Sequence, residues 1–124
     1  MPARRVGAPV VGLGKNLPTR RIGGASMQAV RYVIVHSPGP KWKPGVPIFE
    51  QQGVHDHIAH FRKLLADGKL QMGGPFLDEH AGGMMIPSEG LAEAEIVAFA
   101  SADPAVATGL LRVAVRRWLV GMKG

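Results

Sequence analysis

Residues 54–75 constrain this chain more than any other stretch, because they join a helical stripe, a glycine stop and an extended run without space for a linker. Within it, HIAHFRKLLADGKLQMGGP (residues 57–75) follows Val54, and Val54, Ile58, Phe61 and Leu65 fall within about 60° of one another on a helical wheel. The spacing predicts a helix from about Val54 to Asp67 with those four residues as its buried stripe and Leu64 at the edge. Gly68 supplies the residue type that best tolerates a left-handed cap, so the helix should stop there. Lys69 to Phe76 then reads as a strand, closed by Gly73, Gly74 and Pro75. Three histidines sit at the front of the helix. His57 lies close to Leu64 on the wheel, while His55 and His60 project further from the stripe's centre. His57 is therefore the histidine expected to be half buried, where an imidazole can be oriented and its basicity controlled.

The net charge of +6 invites a nucleic-acid reading that does not survive division along the chain. Residues 1–26 carry five basic residues (Arg4, Arg5, Lys15, Arg20 and Arg21) and no acid, whereas the remaining residues carry ten basic against nine acidic side chains. The compact part is close to neutral, and no nucleic-acid partner is expected. Residues 1–26 are rich in Gly, Pro and Arg without useful periodicity, and are expected to be a disordered tail preceding one domain over residues 27–124. An over-long start with Met27 as the initiator, a functional basic arm and a targeting segment all remain open for that tail. No apolar run approaches the roughly 20 residues needed to cross a bilayer, so no membrane partner is expected. The chain has no cysteine, which excludes disulfides and thiol nucleophiles and suits a reducing, cytoplasmic setting.

From Met27 the rest can be read in order. Residues 29–36 are β-branched and aromatic, as in a strand buried on both faces. The loop that follows holds Pro38, Pro40, Pro44 and Pro47, with Trp42 and Phe49 as apolar anchors, and suits the wall or lid of a pocket. After the 54–75 segment, FLDEHAGG is a turn and GGMMIP a third strand, with Gly82 and Gly83 as hairpin glycines. A second helix is expected over Ser88–Ser101 and a short third helix from Asp103-Pro104, the ordinary pairing of N-cap and first helical residue. Alternation through Leu111, Val113 and Val115 gives the last strand. The resulting order is the split βαβ, or ferredoxin-like, α+β plan: a four-stranded antiparallel sheet with helices on one face. Its uncovered apolar face leads us to expect a homodimer packed sheet against sheet.

These motifs resemble the YciI-like (YCII-related) family of small α+β proteins over about Met27 to Met122. HIAHFRKLLADGKLQMGGP places His57 at the family's histidine and Gly74-Pro75 at its Gly-Pro. SADPAVATGL places Asp103-Pro104 at its Asp-Pro, and Arg116, Arg117 and Trp118 resemble its closing strand. The resemblance implies a dimeric α+β barrel, similar to muconolactone isomerase, with a pocket containing a His-Asp pair. It also implies lyase or dehydrochlorinase-type chemistry on small ring compounds in at least one branch.

The candidate catalytic pair is His57 as general acid/base and Asp103 as the carboxylate that orients it, since a carboxylate fixes an imidazole's tautomer and favours proton abstraction near neutral pH. A helix-capping Asp103 beside a rim-of-core His57 is the plainer use of the same residues, and a carboxylate has acceptor sites enough for both. Gly74, Pro75 and Trp118 are the candidate substrate-binding residues. For Trp118, packing is the alternative; of Arg116 and Arg117, which point to opposite faces of the last strand, at most one can face the pocket. Of His55, His57 and His60, only His57 with His60 could converge on a helix, a poor geometry for a metal, and neither metal nor cofactor is expected. Elimination, isomerisation or dehydrochlorinase-type chemistry on a small polar, perhaps cyclic, molecule is the expected function. A non-catalytic ligand-binding or interaction module is the alternative.

Overall fold

The computed structural model describes residues 29–124, together with the backbone of Arg21–Ile22 and Ala25–Ser26, which pair as two short antiparallel strands. The expected tail over residues 1–26 otherwise lies outside the described residues. Seven further elements follow: β1 (Ala29–Pro38), α1 (Val54–Ala66), β2 (Leu70–Pro75), β3 (Gly83–Pro87), α2 (Glu93–Ser101), α3 (Pro104–Thr108) and β4 (Leu111–Val120). The four long strands form an antiparallel sheet in the order β2-β3-β1-β4. Because β3 lies between β1 and β2, the α1 crossover spans one intervening strand, which is the connectivity of a split βαβ unit. The α+β plan read from the sequence is the one the chain adopts.

Strand parity decides what faces the helices. Along β1, Tyr32, Ile34 and His36 share one face, and the register pairs Ile34 with Val115 of β4 and with Met85 of β3. Ile34 and Val115 pack with Phe61 and Leu64 of α1 and with Ile96 and Ala100 of α2, which makes this the core side of the sheet. A second cluster, Val54, Ala105, Leu110 and Leu111, joins the start of α1 to α3 and β4. On the opposite face Val33, Val35 and Met84 line a shallow groove with Arg116 and Trp118, while Arg117 pairs with Tyr32 on the helix side of the sheet.

α1 is rotated from its expected orientation. Val54, His57, His60, Phe61 and Leu64 are buried, while Leu65 is 53% exposed. Two neighbours account for the rotation. α2 covers one flank, where the His60 ring stacks on Phe99 at 4.0 Å and its Nε2 bonds the Phe99 carbonyl at 2.7 Å. A cleft occupies the other flank, lined by Leu65, which stays exposed, and by Ile58, which also packs on the second cluster. The exit of α1 follows expectation, with Gly68 at φ 76° and the Lys69 amide donating to the Leu64 carbonyl at 3.0 Å.

The second helix begins five residues later than expected, at Glu93. Ser88 is committed elsewhere: its amide donates to the Lys69 carbonyl and its hydroxyl to the Gly68 carbonyl, both at 2.9 Å, and Gly90 turns the chain at φ 90°. These contacts tie the end of β3 to the exit of α1 and leave Ser88 unable to start a helix.

The proline-rich segment after β1 is ordered from within by Gln51, which is 3% exposed. Its side chain donates to the carbonyls of Lys43 (2.8 Å) and Val46 (2.9 Å) and accepts from the Lys43 amide (3.0 Å). A short 3-10 turn, Ile48–Glu50, then presents Ile48 and Phe49 to the cleft. Trp42 packs on the second cluster.

Gly82 shows how tightly the β2-β3 hairpin lies against β1. It has φ 79°, and a Cβ there would overlap the His36 carbonyl oxygen, a backbone atom with no freedom to move away. Gly45 has a similar φ of 84° but open space around it. We expect Gly82→Ala to cost on the order of 3 kcal/mol and Gly45→Ala about 1 kcal/mol, read as shifts in urea midpoint. Equal midpoints would mean that the hairpin does not press on His36.

Candidate functional site

The site forms where three elements meet: the first turns of α1, the turn into α3 and the end of β1. Asp103 is fully buried as the N-cap of α3, with Pro104 at the first helical position. Its Oδ1 accepts from the Ala105 amide at 2.9 Å, while Oδ2 lies 2.6 Å from Nδ1 of His57. Capping and the contact with His57 are thus divided between the two oxygens of one carboxylate. His57 is 8% exposed and lines the cleft. With the proton on Nδ1 donated to Asp103, Nε2 is the acceptor nitrogen of the ring.

Burial opposes ionisation of Asp103, but the His57 hydrogen bond, the Ala105 amide and the adjacent His57 and His36 rings outweigh it and hold its carboxyl below the usual carboxylate value. The carboxylate is therefore charged whenever the protein is near neutral pH, as an orienting group must be.

A third residue, His36 of β1, completes the cluster and escaped the sequence reading. It is 3% exposed, its ring meets His57 edge to face at 4.7 Å, and its Nε2 stands 3.7 Å from Asp103 Oδ2. Burial, helped by the neighbouring His57 and opposed by Asp103, pulls its pKa down to about 4. The available signal was parity: His36 follows Tyr32 and Ile34 on the same side of a strand.

The cleft encloses about 290 Å³ between α1, the β2-β3 hairpin and the Ile48–Glu50 turn. Its walls are mainly apolar, with His36, His57 and Arg62 as the polar exceptions. Gly74 and Pro75 also line it. Gly73 adds no empty space, since a Cβ there would overlap Met85 Sδ. Trp118 is not brought to this cleft. It is 42% exposed in the groove on the other side of the sheet, together with Arg116.

The histidines of α1 do not converge on a metal: His55 is exposed and His60 is committed to Phe99. His36, His57 and Asp103 do bring ligand atoms within 4.8 Å of one another. However, a nitrogen and an oxygen bound to one ion at ordinary lengths of about 2.0–2.1 Å stand roughly 3 Å or more apart. The 2.6 Å between His57 Nδ1 and Asp103 Oδ2 is the spacing of a shared proton.

Among the described residues no helix is long and apolar enough to cross a membrane. Comparison with known proteins gives the site its setting. An uncharacterized protein of Bacillus subtilis (strain 168), YjpA, is 34% identical over 70 residues, which covers 56% of this chain and 80% of the relative. No solved structure matches the chain. The family model of the YCII-related domain matches residues 30–119, from the first strand of the sheet to the last and with the His57-Asp103 pair inside it, so the chain belongs to the YCII-related family.

Proposed function

We propose that this protein is a small acid–base enzyme, in which His57 exchanges a proton with a compact molecule held in the cleft and Asp103 keeps the imidazole in the productive tautomer. The observation that carries the reading is the 2.6 Å contact between His57 Nδ1 and the buried Asp103 carboxylate, with His57 on the cleft wall. A histidine needed only for packing would not require a buried charged partner, which is costly to desolvate unless it is fully bonded. The chemistry that suits the pair is proton transfer, as in isomerisation or elimination, including the loss of a halide beside an acidic C–H bond. The decisive experiment is a screen of small carbonyl and ring compounds by thermal shift, followed by turnover assays on the binders. Turnover by the wild type that disappears in His57→Ala, with binding retained, supports an enzyme. A ligand that remains unchanged, with His57→Ala weakening only its affinity, supports the non-catalytic binding module instead.

We also propose that the working form is a homodimer packed across the open sheet face, giving a dimeric α+β barrel. Support comes from the half-buried Val33, Val35 and Met84 and from Trp118, which together present apolar surface on the side that no helix covers. Sedimentation equilibrium should give twice the chain mass, and Val35→Glu should lower it to one; a wild-type monomer would overturn the proposal.

A further inference from the structure

His36 poses a problem that the His57-Asp103 pair does not solve. Neither of its ring nitrogens has a hydrogen-bond partner among the described residues, although the side chain is almost wholly buried. Leaving such a group unpaired costs about 1–3 kcal/mol, and a leucine or phenylalanine would fill the position without that cost. An imidazole held here calls for something to bond. Asp103 does not provide it: Oδ2 is 3.7 Å away and already taken by His57 at 2.6 Å. The protein side is therefore exhausted, while His36 lies on the wall of the same cleft as His57, ring against ring.

We infer that His36 is a catalytic residue whose N–H, covered in the empty cleft, turns to donate to the carbonyl oxygen of the substrate while His57 Nε2 removes a proton from the adjacent carbon. The inference rests on the acid–base reading of His57 and adds the substrate class: a compact, mainly apolar carbonyl compound with a C–H bond next to the carbonyl. Apolar walls from Ile48, Val54, Ile58, Phe61, Leu65 and Met85 suit the body of such a molecule, and a volume of about 290 Å³ suits a single ring. Arg62 at the same cleft suits a carboxylate carried on it.

The step balances without a further reactant. The C–H bond breaks and its proton passes to His57 Nε2; the electron pair left on carbon forms a C=C bond, and the carbonyl π pair moves to oxygen as an enolate. His36 stabilises that oxygen by hydrogen bonding. A neutral imidazole is well suited to this, since it donates a proton to the hydrogen bond without competing with His57 as an acid, and burial keeps His36 neutral. Return of the proton to the same carbon regenerates the ketone.

Hydrogen exchange on a simple ketone isolates this half-reaction. With 4-oxocyclohexanecarboxylate in D2O, proton NMR follows loss of the signals next to the carbonyl as deuterium enters through His57. The wild type should accelerate exchange well above the rate given by free imidazole at the same concentration. His36→Leu should slow it ~100-fold, the scale of losing one oxyanion donor. His36→Asn, which keeps an N–H donor, should recover part of that loss, and His57→Ala should abolish the acceleration. Urea midpoints at pH 7 confirm that each variant is folded. Exchange at the wild-type rate in His36→Leu would overturn the role of His36 and leave the His57-Asp103 reading standing. No acceleration by the wild type, on this ketone or on cyclohexanone, would overturn the carbonyl class; the acid–base pair is then judged separately by the His57 tautomer.

Discussion

Asp103→Ala is expected to cost about 3 kcal/mol of stability, whereas Asp103→Asn should cost about 1 kcal/mol or less and still abolish the chemistry of the site. Alanine removes the cap of α3, worth ~1 kcal/mol, and strands the buried Nδ1 of His57, worth ~1–3 kcal/mol. Asparagine keeps both contacts but changes the sense of one. Its carbonyl oxygen can accept from the Ala105 amide as Oδ1 does, and its amide then donates to His57 Nδ1 where the carboxylate had accepted. The imidazole proton is forced onto Nε2, the nitrogen that must be free to take a proton. In serine protease triads the same exchange costs about 10⁴-fold in turnover through the wrong tautomer, and a loss of that order is expected here. Nitrogen-15 NMR of the imidazoles reads the tautomer directly, and urea denaturation reads the two stabilities. A His57 ring that keeps its proton on Nδ1 in Asp103→Asn would remove the orienting role from Asp103.

Acidification should unfold this protein earlier than its carboxylates alone require, because of His36. Its imidazole titrates near 6.5 in the unfolded chain and near 4 in the folded one. Between those values the unfolded chain holds the extra proton, so each step down in pH favours unfolding. Across the window the loss is about 3 kcal/mol, a large part of a small domain's stability. Around His36 stand His57 and His60 of α1, which reinforce the effect, and Asp103 at the start of α3, which opposes it. Asp103 acts in a different window. Its depressed carboxyl contributes stability that is complete above the unfolded value of about 3.9 and is lost as pH falls through the folded one. Urea midpoints at pH 7 and pH 4.5 separate the two. Wild type should lose most of its His36 contribution over that interval, and His36→Leu should lose little. Parallel losses in both proteins would show that His36 does not govern the acid limb.

The parts of this fold that were legible in the sequence are those set by local periodicity and by turn chemistry. Gly68, Asp103-Pro104 and the alternation through Leu111, Val113 and Val115 each fix one backbone decision without reference to distant residues. Element order then followed, and with it the split βαβ connectivity. His57 and Asp103 were legible as a pair because the wheel and the helix start each singled out one residue, and the resemblance placed both. What escaped depends on which neighbour occupies which flank. The rotation of α1 follows from Phe99 on one side and a cleft on the other, neither of which periodicity can see. Ser88 gave up its helix to the carbonyls of Gly68 and Lys69, twenty residues earlier in the chain. His36 was hidden by an otherwise apolar strand: parity puts it on the face of Ile34, but only the packing of α1 and the turn into α3 against that face brings it to His57 and Asp103.

Gln51 gives the outer wall of the cleft an unusual independence. One amide side chain holds the loop's backbone at Lys43 and Val46, while the acid–base groups are held by α1, β1 and the start of α3. In the proposed enzyme, selectivity and reactivity are mounted on separate supports. Residues between Gly45 and Glu50 can be exchanged to admit differently shaped molecules while the proton-transfer geometry stays as it is, provided that Gln51 remains to fasten whatever replaces them. If the proposed chemistry holds, such a division lets one reaction be passed among many substrates by altering a single surface segment.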